Sequence, residues 1–398
     1  MRSVAILAVV GVCVASRVAW ATSDSCVICH SDVKTEYETS VHAATISCAA
    51  CHGGDATVPK LEAHDTAKGY RGKIARADVP AVCASCHADP ERMRDSGLPV
   101  DQFALYQNSE HGTRLKGGDT RVAVCTDCHG VHRIVSHTEP TSPVAPRNIA
   151  ATCGRCHSDA QLMGAYKLPA DQEAKYRDSV HGRALYLDDH PLAPTCATCH
   201  GAHGAREDVS TACGRCHSRT RDYFDDGPHA AAVTQGKMTE CASCHGYHEL
   251  PVPDRTLFET ACPTCHAPDS PPALTARKLA AVLTQAEESL EAAEDDVATL
   301  ERTMPTAARR RSRLDQARSY YLEALPVQHA LNVERVEDLA RSARSISDEA
   351  RSAMHEAQQE YRLRHLWLAG IWGYVLAAGG VAYLYRRERL AQRRSPEP

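Results

Sequence analysis

Apolar positions divide this chain into stretches of different character. Behind Arg2, the run Val4 to Ala15 is apolar, and Ala19-Trp20-Ala21 offers a small-x-small cleavage site. Residues 1–21 therefore read as a secretory signal, with a mature chain starting at Thr22. Val12 stands where a lipoprotein signal at Cys13 needs a small residue, and Arg17 leaves an uncleaved anchor as the alternative. From Thr22 to Pro272 the apolar positions form only short phrases, which predicts short helices, many loops and little sheet. Pro268, Pro271 and Pro272 then mark a boundary. Beyond it, Leu279, Leu283, Ala286, Leu290, Ala293, Val297 and Leu300 recur by four and three, a heptad seam. Pro305 ends that helix, and a second run, Thr306 to Leu325, stops or kinks at Pro326. A third run carries Val336, Leu339, Ala343, Ile346, Ala350, Ala353 and Ala357. An antiparallel helical stalk of three helices over 273–364, coiled-coil or bundle, is expected.

The stalk's third helix is expected to continue into Leu366 to Tyr385, which is 20 residues without a charge. At 1.5 Å per residue it is about 30 Å long, the thickness of one hydrocarbon core. Trp367, Trp372, Tyr383 and Tyr385 supply interface aromatics, and Gly370, Gly373, Gly379 and Gly380 suit a membrane helix better than a soluble one. Arg386, Arg387, Arg389, Arg393 and Arg394 put the tail, 386–398, in the cytoplasm by the positive-inside rule. One transmembrane helix then leaves everything before it on the periplasmic side of the inner membrane.

Composition changes the picture of the middle stretch. It holds 18 of the 19 cysteines, all in nine Cys-x-x-Cys-His motifs. Their cysteines are Cys26 and Cys29, Cys48 and Cys51, Cys83 and Cys86, Cys125 and Cys128, and Cys153 and Cys156. Cys196 and Cys199, Cys213 and Cys216, Cys241 and Cys244, and Cys262 and Cys265 complete them. The motif histidines are His30, His52, His87, His129, His157, His200, His217, His245 and His266. This is the attachment pattern for c-type haem: two thioethers hold one porphyrin edge and the adjacent imidazole takes the proximal iron position. Zinc ribbons also pair cysteines this way, but they do not need His after every second Cys. With three Phe and three Trp in the whole chain, a conventional core is poorly supplied. Nine covalently bound haem c groups would stand in for it. The formal charge of −5, before any haem propionates, gives no sign of nucleic-acid binding.

After Cys26–His30 the motifs fall into four similar repeats, one leading haem followed by four pairs. Each repeat opens with a phrase ending in His: Tyr37 to His42, Tyr106 to His111, Tyr176 to His181 and Phe224 to His229. A motif followed by Gly comes next (Gly53, Gly130, Gly201, Gly246), and a second motif closes the repeat. His132, His203 and His248 follow that Gly by two residues in the last three repeats; the first has His64 later instead. Ten histidines are thus candidate distal iron ligands: His42, His64, His111, His132, His137, His181, His190, His203, His229 and His248. His137 and His190 are out of phase. His132 is too close to His129 to reach the other face of the same haem, so it is expected on a neighbouring one, locking each pair. The leading haem, outside the pairs, is the place expected for an unlike ligand. Tyr37, Tyr106 and Tyr176 read as packing residues, and His329, His355 and His365 as solvated.

Tyr176 to Gly182, then Cys196-Ala-Thr-Cys-His-Gly-Ala-His203, then Cys213-Gly-Arg-Cys-His217 resemble exported multihaem cytochromes c of the cytochrome c3, doubled-CXXCH type. The likeness covers roughly residues 24–270. It implies a mainly α domain organised by stacked haems over 22–272, mostly bis-His ligation, and electron conduction. The expected route runs from the membrane quinol pool, through a quinol-oxidising partner subunit, to a periplasmic redox partner. The rival reading is an oxidoreductase for nitrogen or sulfur oxyanions with one open haem. All nine motifs end in His, so the Lys-ligated variant of nitrite reductases is absent.

Overall fold

The computed structural model describes residues 24–204, 210–301 and 308–392. The expected leader, Arg393 and Arg394, and the turn at Pro305 lie outside the described residues. Those residues are mainly helical (68 %) and contain no strand, as the short apolar phrases predict. The chain divides into two compact lobes: residues 1–212 with 246–252, and residues 213–245 with 253–398. The division falls well before the proline cluster, so the last three motifs share a lobe with the helical bundle.

In the first lobe, short helices are fixed by a repeated set of polar contacts. Helix α1 (Ser31–Glu38) opens the first repeat. Helices α2 (Gln102–Asn108) and α3 (Glu110–Lys116) open the second, and α4 (Gln172–Asp178) and α5 (Val180–Tyr186) the third. Ser109 caps α3, its hydroxyl accepting from the Gly112 amide at 3.1 Å and donating to Tyr106 O at 2.7 Å. Ser179 does the same for α5 with Gly182 and Tyr176, at 3.1 and 2.6 Å. Each motif that precedes a Gly ends there because Gly53, Gly130, Gly201 and Gly246 take positive φ, where a side chain is strained. A Cβ at Gly53 would lie 1.9 Å from the Gly69 carbonyl oxygen. The buried clusters are small: Leu115, Val122 and Val124 in one, Ala150, Tyr176 and Leu185 in another.

The second lobe has a conventional core. Helices α6 (Pro271–Glu301), α7 (Ala308–Val327) and α8 (Val333–Gln392) pack on one another. Leu279 and Leu283 meet Ala324, Val327 and Val336, while Val297 and Leu300 meet Leu314 and Met354, so the helices run up, down and up. All seven expected seam positions of α6 are buried. Pro326 sits in the last turn of α7, and a short 3-10 turn, Gln328–Ala330, follows. In α8 the buried stripe is Val336, Ala340, Ala343, Ser347, Ala350 and Met354, one residue away from the expected Leu339, Ile346 and Ala353. The polar Ser347 is accommodated because its hydroxyl donates to Ala343 O at 2.9 Å. Helix α8 continues without a break through the apolar segment, whose side chains are exposed and which is long and apolar enough to cross a membrane.

Candidate functional site

The tyrosine that opens each of the first three repeats measures out the start of the first motif. Tyr106 donates to Ala123 O at 2.9 Å and Tyr176 to Pro194 O at 2.8 Å; Tyr37 donates to Ile46 O. Each acceptor lies two residues before the first Cys of its motif. These hydroxyls are committed to the backbone and half-buried, and burial pushes Tyr106 up to about 12. They position; they are not free to react.

Histidines then face one another across a constant gap. In the first lobe the ring centroids of His30 and His64, His42 and His87, and His111 and His157 lie 6.0, 6.0 and 6.1 Å apart. His52 and His132, His129 and His203, and His200 and His248 lie 6.4, 6.0 and 5.8 Å apart. In the second lobe His229 and His266 are 6.1 Å apart, and His245 and His329 are 6.2 Å apart. Every pair contains one motif histidine. The gap is too wide for ring contact and right for an atom between them. A metal bonded to nitrogen on each side at about 2.0 Å, with each ring centre about 1.1 Å behind its nitrogen, sets the centroids about 6.2 Å apart. Burial lowers the pKa of His42, His87, His111, His129, His157, His200, His203, His229, His245, His248 and His329, which favours the neutral imidazole that a metal requires.

The pairs follow two rules. The histidine that opens repeats 1, 2 and 4 faces the closing motif of the same repeat: His42 with His87, His111 with His157, His229 with His266. The histidine after the Gly faces the first motif of the preceding repeat: His132 with His52, His203 with His129, His248 with His200. It therefore ties successive repeats together, rather than locking the two motifs of one repeat as the spacing suggested. Backbone bonds join repeats in the same sense, from Val41 N to Ile134 O and from Val180 N to Leu250 O, both at 2.8 Å.

Neighbouring motifs also touch through their cysteines. Cys83 meets Cys125, Cys153 meets Cys196, and Cys213 meets Cys241. At the start, the ligating atoms of Asp24, Cys26 and Cys48 lie within 4.8 Å of one another. Asp24 accepts from the Cys48 amide at 2.6 Å and the Cys26 amide at 3.2 Å. Burial, then the Asp24 carboxylate, pushes Cys26 up to about 11 and Cys48 up to about 12. Such contacts thus join the first motif to the second, the third to the fourth, the fifth to the sixth and the seventh to the eighth.

Three expectations are corrected. His137 and His190 are exposed and, among the described residues, face no motif histidine; the His190 ring instead accepts the Leu192 amide at 3.3 Å. The leading motif is not the odd one, since His30 is faced by His64, whose ring is held edge-on by Tyr70 at 4.6 Å. His329 is not solvated: burial lowers its pKa, and it faces His245. Nothing in its sequence surroundings signals this, because it lies in a helical stalk with no motif nearby. His355 and His365 are exposed, as expected. The chain matches no family model, no curated protein and no solved structure.

Proposed function

We propose that this chain is a nonahaem cytochrome c that conducts electrons on the periplasmic face of a membrane. The observation that carries the reading is the set of seven imidazole pairs within residues 24–272, each joining a motif His to a second His at 5.8–6.4 Å. The donor set fits iron in haem c: two thiols per motif for covalent attachment and an imidazole on each side. Haem c supplies a one-electron Fe(III)/Fe(II) couple whose potential depends on axial ligands, burial and hydrogen bonding. The chain supplies closed coordination, because an iron held by His on both faces has no position for a substrate. For His181 the argument is the repeat alone: it holds the opening position whose counterparts, His42, His111 and His229, face closing motifs.

Cysteines of successive motifs lie side by side, from the first motif to the sixth in one lobe and from the seventh to the ninth in the other. That succession supports transfer along the chain in sequence order. Within the second lobe, about 50 Å of α8 separates Val333, at the base of the bundle, from Leu366, where the apolar segment starts. A quinol in the bilayer is therefore out of direct reach of His245 and His266. A quinol-oxidising partner that feeds this lobe would itself carry redox centres up the stalk. The C-terminal helix anchors the chain, with Arg386, Arg387 and Arg389 on the cytoplasmic side.

The full-length protein, expressed with c-type cytochrome maturation and purified in detergent, is expected to carry nine haems by intact mass and to give only low-spin ferric signals in EPR. A chain without covalent haem, or a high-spin signal that moves on adding nitrite or hydroxylamine, overturns the conduit.

A further inference from the structure

Resting on the haem reading, we propose that His329, from the helical stalk, is the distal iron ligand at the Cys241–His245 motif. The stalk would then be part of the redox unit and not only its support. The first-motif histidines of repeats 1 to 3 are each faced by the post-glycine His of the next repeat. Repeat 4 has no repeat after it, and His329 faces His245 in that role at 6.2 Å.

The ring is prepared for the task. Its Nδ1–H donates to Pro326 O at 3.1 Å, which fixes the tautomer and leaves Nε2 as the free nitrogen. The backbone that presents it is equally determined. Pro326 ends α7, Gln328–Ala330 form a single tight turn, and Leu331 takes a left-handed φ of 54° before α8 begins. The carbonyl of His329 packs against Gly227, where a Cβ would lie 2.9 Å from its oxygen. The helix Ser218–Asp225 packs on this turn. Arg219 pairs with Glu323 at 2.8 Å, Arg335 donates to the Tyr223 hydroxyl at 3.2 Å, and Arg255 bridges Tyr321 at 2.5 Å and Glu287 at 3.3 Å. These contacts hold the turn and its flanking helices against the segment that carries the motif.

The test replaces His329 by Ala in the full-length holoprotein, with His190→Ala as the control. For His329→Ala, nine haems by mass and one of them converted from low-spin to high-spin in EPR are expected, with added imidazole restoring the low-spin signal. His190→Ala should leave the spectrum unchanged. Nine haems that all stay low-spin in His329→Ala without imidazole would overturn the assignment while leaving the haem reading intact. A wild-type chain without covalent haem would instead overturn the reading itself. Should His329→Ala fail to accumulate, His329→Met serves: one haem is expected to take His–Met ligation with a raised potential, and nine unchanged bis-His haems would refute the proposal.

Discussion

At the scale of single residues, the opening phrase of a repeat works as a ruler. In repeats 2 and 3 a tyrosine hydroxyl reaches the backbone ahead of the first motif, a serine caps the helix that bears the histidine, and a glycine after the histidine lets two backbones meet. At Gly182 a Cβ would stand 2.1 Å from Tyr176 O, and at Gly112 2.0 Å from Tyr106 O. Gly182→Ala must therefore push α5 away from α4. It is expected to cost more than about 1 kcal/mol, seen as a lowered melting temperature at unchanged haem content. His111→Met addresses ligation instead, because His111 faces His157 across 6.1 Å. One haem in the EPR spectrum should change its ligand signature; an unchanged spectrum would remove His111 from the ligand set. The tyrosines were legible as packing residues because they recur in phase with nothing reactive beside them. Their acceptors were not legible, since a backbone carbonyl leaves no mark in sequence.

At the scale of elements, the bundle and the motif region differ in what the sequence reveals. The α6 seam is visible because Leu279, Leu283, Leu290, Val297 and Leu300 are large and regularly spaced, and every one is buried. In α8 the expected Val336, Ala343 and Ala350 are buried, but Leu339, Ile346 and Ala353 draw the eye where the buried neighbours are Ala340, Ser347 and Met354. Small residues carry little periodic signal, yet they are what lets three helices approach closely. Leu279 is fully buried between α7 and α8. Leu279→Ala is expected to destabilise the bundle by about 2–5 kcal/mol, measured as loss of helical circular dichroism at lower temperature. Leu322→Ala, on an exposed face of α7, should change stability by less than about 0.5 kcal/mol.

At the scale of the whole molecule, the nine motifs and the supply of histidines were legible, and the wiring between them was not. Which imidazole faces which motif depends on how repeats dock, and a local spacing cannot tell a repeat from its neighbour. The apolar end of α8 was legible from its length and lack of charge. Removing residues 366–398 should release the protein from detergent while leaving haem content and the EPR spectrum unchanged. Retention in the membrane fraction would mean that another part of the chain holds it there.

The post-glycine rule also orders events in time. A chain is synthesised from its N-terminus, so His52 appears before His132, His129 before His203, and His200 before His248. Each of these motif imidazoles waits, unmatched, until the following repeat has been made. The last of them, His245, waits longest, through the whole of α6 and α7, until His329 arrives in the turn before α8. A chain cut short between His245 and that turn would leave His245 with no opposite number, so pairing at His245 reports that synthesis has passed the end of α7.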